Sequence, residues 1–157
     1  GVLYDFGSHI IDQVLCLIKE EPVSVFCDMK SVHWSKEVDD YFKLLIRFRG
    51  GTTAHLEASQ VSRYNLPRWY VLGTKGAPLS ENGGHPIKVR TQIKGEEFER
   101  TYQVEPSCWE RYYDNLYDVL MHRAHPIIKL EEVRKSAAVI DAARLSAHNK
   151  REQKVRY

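Results

Sequence analysis

The stretch from residue 41 to residue 59 constrains the fold most. Phe42, Leu44, Ile46 and Phe48 alternate with Lys43, Leu45, Arg47 and Arg49. After Arg49-Gly50-Gly51-Thr52, the residues Ala54, Leu56 and Ala58 alternate with Thr53, His55, Glu57 and Ser59. A period of two places one set on each face of a strand. Paired glycines accept the positive φ of a tight hairpin turn. The reading is an antiparallel hairpin with one apolar face and one mixed face.

The elements around it follow from the same periodicities. Val25, Cys27 and Met29 alternate with Ser24, Phe26 and Asp28, and further strands are expected at 68–73, 86–94 and 97–104, the last two joined across Gly95. Residues 8–19 space Ile10, Ile11, Val14, Leu15, Leu17 and Ile18 as a helix does, with Ser8 or Gly7 available as a cap and Pro22 as a stop. Two more helices are predicted over 108–124 and 131–149, separated by Pro126, with Glu131 and Glu132 complementing the dipole of the last. The expectation is an α+β fold in one domain, residues 1–157: an open-faced, mainly antiparallel sheet of about six strands with helices packed on one face. The other face, with Tyr41, Leu45, His55 and Tyr70, would be left for substrate or for a second subunit.

Composition excludes several classes. The chain is 43% hydrophobic and 28% charged, with 23 basic and 21 acidic residues interleaved, so it shows no nucleic-acid footprint. The one basic cluster, Lys150, Arg151, Lys154 and Arg156, reads as a solvated helix end. Cys16, Cys27 and Cys108 are an odd set without metal-type spacing, which suggests reduced thiols and a cytoplasmic location. No apolar run approaches the ~20 residues of a membrane span, and no signal peptide is visible. Opening on Gly1, the chain reads as a piece of something longer.

Chemistry concentrates at the start. In the stretch from Tyr4 to Asp12, about 100° per residue brings Asp5, His9 and Asp12 onto one stripe of the first helix, opposite its apolar side. A carboxylate beside an imidazole orients the ring and fits it to move a proton near neutral pH, and Asp12 can accept a hydrogen bond from a hydroxylated ligand. Spacing alone favours a plainer reading, in which Asp5 caps the helix and His9 and Asp12 are ordinary exposed polar residues. A metal would need a further ligand from His33, His55 or His85 on distant strands, and none is expected. Gly73-Thr74-Lys75-Gly76 reads as a turn, not a phosphate loop. Arg63 and Tyr64, ahead of Pro67, are candidates for the mouth of a substrate site, although solvated loop residues are the plainer reading. Trp109, Tyr112, Tyr113 and Tyr117 read as core or interface.

The segment DFGSHIIDQVLCL resembles the start of the C-terminal domain of the Gfo/Idh/MocA oxidoreductases, the glucose-fructose oxidoreductase and inositol dehydrogenase family. VDDYFKLLIRF, YVLGTKGA and the ending from Glu131 to Tyr157 resemble later segments of that domain, in order, with most similarity to the scyllo-inositol dehydrogenase-like subgroup. The resemblance implies an NAD(P)-dependent enzyme that oxidises a hydroxyl of a sugar or polyol, or reduces the ketone. It implies that Asp5 and His9 are catalytic, with His9 taking the hydroxyl proton as hydride leaves for the nicotinamide, and that Asp12 contacts substrate. A homo-oligomer through the open sheet face is expected. Gly50-Gly51, Gly73 to Gly76 and Gly83-Gly84 do not fit the dinucleotide fingerprint, and the family's Glu-Lys-Pro motif is missing. The N-terminal Rossmann domain that holds NAD or NADP is therefore expected to lie outside this chain, which alone would bind no cofactor tightly and be inactive. The alternative is a non-catalytic dimerisation or ligand-sensing domain on the same scaffold.

Overall fold

A computed structural model describes residues 1–80 and 84–157, and in it the alternating stretch at 41–59 is a sheet hairpin. In chain order the elements are α1 (Phe6–Leu17), β1 (Pro22–Lys30), β2 (Tyr41–Phe48), β3 (Thr53–Ser59), β4 (Trp69–Tyr70), β5 (Ala77–Ser80), β6 (Ile87–Ile93), β7 (Glu96–Tyr102), α2 (Glu110–His122), α3 (Leu130–Asn149) and β8 (Gln153–Lys154). The α+β class and the open, antiparallel character are as expected. The strands, however, form two four-stranded sheets, ordered β3-β2-β1-β8 and β4-β5-β6-β7. Contacts divide the chain into two compact units, one of residues 1–61 and 125–157, the other of residues 62–124.

In the first unit the period of two works as the sequence predicts. Phe42, Leu44 and Ile46 are fully buried, together with Val25 and Cys27 of β1, and Leu56 of β3 is buried beside them. Against this face, α1 contributes Ile11 and Val14, and α3 contributes Val139, Ala142 and Ala143. Each such large side chain contributes roughly 1.5–3 kcal/mol relative to exposure. Gly7 lets α1 approach closely, since a Cβ there would stand 3.2 Å from the Phe42 ring. Burial pushes the Cys27 thiol up to about 12, with help from the charges of Asp28 and Asp39, so this cysteine is core and not nucleophile.

The opposite face is open. Phe26 pairs with Leu45, and Leu45 with His55, in a row across β1, β2 and β3. The next row but one, Asp28, Lys43 and Glu57, carries a Lys43–Glu57 ion pair at 3.4 Å. Phe26 remains 45% exposed on this face. Tyr70, expected beside these residues, lies instead in the second sheet.

The second unit has a different balance of burial. β6 and β7 turn through Lys94 (φ 53°) and Gly95 (φ 89°), the two positive angles a tight two-residue hairpin demands. Every residue of β7 is exposed. α2 has no buried residue, and Trp109, just before it, is 73% exposed, so of the core-or-interface reading of this aromatic cluster the core half does not hold among the described residues. Gly83 and its two predecessors, part of one glycine pair considered above, lie outside the described residues. No helix among the described residues is long and apolar enough to cross a membrane.

Candidate active site

The segment leading into α1 is fixed before the helix begins. The Val2 and Leu3 N–H groups donate to the Asp39 carbonyl and carboxylate at 2.9 and 2.7 Å. The Tyr4 and Asp5 N–H groups both donate to the Gly1 carbonyl at 3.1 Å. This turn places Asp5 at the N-cap, two residues before Gly7 and three before Ser8, where the cap was expected.

Asp5 does not behave as a cap, however. Its carboxylate makes no capping hydrogen bond, and Ser8 Oγ donates to its backbone carbonyl at 2.7 Å. The Asp5 side chain is thus left on the solvent side of α1, where His9 and Asp12 are also exposed. Asp12 has a structural partner as well: Ser136 Oγ on α3 donates to its Oδ1 at 3.0 Å. One Asp12 oxygen therefore joins the two helices and the other remains available. Cys16, one turn further along the stripe, has its thiol pushed up by burial and by the Asp12 charge, which keeps it protonated and a poor nucleophile.

Two depressions border the stripe. One of about 300 Å³ is lined by Asp5 with Val2, Trp34, Val38, Asp40 and Gln60 among others. A smaller one of about 130 Å³ is lined by Asp12, Cys16, Lys19, Glu20, Glu132 and Lys135. A groove of about 430 Å³ between α3 and β8 contains no member of the stripe. Arg63 and Tyr64 belong to the second unit, in the loop ahead of β4, both exposed, with Ser62 Oγ donating to the Tyr64 carbonyl at 2.6 Å.

Asp39 and Asp40, within the VDDYFKLLIRF segment, organise the rim. Asp40 is 3% exposed, and its carboxylate accepts the N–H groups of Val32, His33 and Trp34 at 2.7, 2.6 and 2.9 Å. Burial works against its ionisation, but the N–H donors of His33, Trp34 and Val32 outweigh it and hold the carboxyl below the usual carboxylate range. The available signal was an aspartate pair directly before an alternating strand, a position where such residues favour turns and backbone hydrogen bonds.

Among the described residues the glycines do not form a dinucleotide-binding turn. Gly50 and Gly51 turn the β2–β3 hairpin, Gly73 and Gly76 close a small bridge, and none opens a helix. The first turn of α3 carries Glu131 and Glu132, which repel a pyrophosphate. Among the described residues no group of three or more His, Cys, Asp or Glu side chains is placed to hold a metal ion. What the stripe offers is a proton acceptor between two carboxylates, open to a hydroxylated ligand.

Residues 1–77 match the model of the GFO/IDH/MocA C-terminal domain. Over 163 residues the chain is 24% identical to the uncharacterized oxidoreductase YhhX of Escherichia coli (strain K12), covering 90% of this chain and 47% of that protein. Its fold is similar to that of an NAD-binding protein from Listeria innocua, with a TM-score of 0.82 and 29% identity over 98% of this chain and 47% of that one. An oxidoreductase from Bacillus cereus is similar at a TM-score of 0.84 and 18% identity, over 100% of this chain and 53% of that one. The chain spans about half the length of these relatives. Over residues 1–77 the chain is thus similar to the GFO/IDH/MocA C-terminal domain, and over nearly its whole length it is similar in fold to these oxidoreductase and NAD-binding relatives.

Proposed function

We propose that this chain is the substrate-binding domain of an NAD(P)-dependent oxidoreductase that oxidises a hydroxyl of a sugar or polyol, or reduces the corresponding ketone. The observation that carries the reading is the uncommitted Asp5 carboxylate: it sits at the N-cap of α1 without capping it, one helical turn from exposed His9, inside the stretch that matches the family model. His9 accepts the hydroxyl proton, with Asp5 one turn away on the same stripe. Asp12 receives a neighbouring hydroxyl of the substrate through the oxygen that Ser136 leaves free; Arg63 and Tyr64 are further candidates for substrate contact. NAD or NADP is held by residues outside this chain, in a cytoplasmic protein that oligomerises through the open face bearing Phe26, Leu45 and His55.

The test is nicotinamide-dependent turnover of polyols by the full-length protein. His9→Ala is expected to lower kcat by about 10²–10⁴, the usual contribution of a positioned acid–base group, with Asp5→Asn lowering it less. Turnover unchanged in both variants overturns the assignment and leaves a non-catalytic ligand-binding or dimerisation domain.

A further inference from the structure

Trp34 is 70% exposed, and its loop holds it there. The three N–H groups of residues 32–34 are gathered by the buried Asp40 carboxylate. Ser31 Oγ donates to the Val38 carbonyl at 2.9 Å, and Ser35 Oγ accepts the Glu37 and Val38 N–H groups at 3.0 and 3.3 Å. The His33 ring meets the indole edge-on, with centroids 5.0 Å apart and planes at 79°. The indole N–H donates to the Gln60 carbonyl at 3.5 Å, so the ring is held at the loop with most of its surface exposed. The loop pre-organises a surface for something else.

That surface borders the depression of about 300 Å³ that Asp5 also lines, so one residue is common to the proton-transfer stripe and to the Trp34 wall. Val38 adds apolar surface, while Asp5 and Gln60 supply polar groups at the same rim. A flat aromatic face beside a few convergent polar groups suits a ligand whose C–H groups lie on one side and whose hydroxyls point to its edge. Cyclic sugars and inositols have this form; short linear polyols lack the persistent C–H face.

We infer that Trp34 is a specificity residue, whose indole packs against the C–H face of a cyclic polyol or sugar bound beside Asp5. The inference rests on the proposed polyol oxidation and deepens it, by stating which face of the substrate this domain reads and which residue reads it. Asp40 acts through the loop, as a positioning residue.

The experiment is steady-state kinetics of the full-length protein on a panel of pyranoses and inositols, with glycerol as a linear comparison. Trp34→Ala is expected to raise KM for the preferred cyclic substrate about tenfold while kcat stays within about twofold, the pattern of lost binding without lost chemistry. Trp34→Phe, which keeps a ring, is expected to stay near the wild-type KM, and the glycerol KM is expected to be unchanged by either variant. An unchanged KM for cyclic substrates in Trp34→Ala overturns the inference, as does an equal rise for glycerol. His9→Ala run alongside separates the two readings. Lost turnover there with no Trp34 effect leaves the proton transfer standing and removes the Trp34 wall, whereas intact turnover in His9→Ala with the Trp34 pattern present removes the proton transfer alone.

Discussion

A carboxylate withdrawn from water must be met by donors, and Asp40 is met by three backbone N–H groups in succession. Those donors favour the charged form, so the folded protein holds this carboxyl below its unfolded value despite burial. The stabilisation is therefore fully present above the unfolded carboxylate range and is lost as pH falls through the lower folded value. Asp40→Asn is expected to melt at a lower temperature than wild type at pH 7, with the gap closing as pH drops below about 4. A gap that stays constant from pH 7 to pH 3 contradicts this account. Asp5 and Asp12 show how far the sequence could be read at this scale. Helical spacing placed both with His9 on one side of α1, but whether an aspartate caps, bridges or stays free depends on what stands opposite. For Asp12 that partner is Ser136, 124 residues away, which no local pattern displays.

Among elements, the join between α3 and β1 shows how a short strand is completed by a side chain. β8 pairs with β1 only at Ser24 and Val25, so the ladder ends there. Just beyond, fully buried Ser146 of α3 accepts the Cys27 N–H at 2.9 Å and donates to the Arg151 carbonyl at 2.7 Å. The hydroxyl continues the hydrogen bonding where strand is missing and ties the turn after α3 to the sheet. Ser146→Ala would leave a buried N–H and a carbonyl without this partner, at a cost of about 1–3 kcal/mol, to be read as a lower urea midpoint with an unchanged slope. The β2–β3 hairpin was legible because every alternate residue from Phe42 to Phe48 is buried and the glycine pair marks the reversal. β8 was not, because Gln153 and Lys154 become a strand only through their partners. β5 was missed for a related reason: Pro78 argues against a strand, and pairing with Val89 accommodates it. α2 was legible as a helix from its spacing, while its lack of buried residues was not, since amphipathic spacing shows a face and not whether anything covers it.

At the level of the whole chain, the expected single sheet became two because the alternation in 87–102 resembles that in 41–59, and register gives no sign of which sheet a strand joins. The contacts of the first unit close within residues 1–61 and 125–157, which contain the complete four-stranded sheet, both helices packed on it, and the Asp5–His9–Asp12 stripe. Replacing residues 62–124 with a flexible Gly/Ser linker is expected to leave a chain that unfolds cooperatively by circular dichroism, because no strand pairing of that sheet is interrupted. A non-cooperative melt would show that the second unit is needed for the first to fold. The path of the backbone, out after residue 61 and back at residue 125, has a consequence for how such proteins diversify. The α1 helix and the Trp34 loop sit in the recipient framework, while Arg63 and Tyr64 ride on the excursion. A lineage could exchange the excursion for another, as one graft for the next, without rebuilding the framework that carries the Asp5–His9–Asp12 stripe.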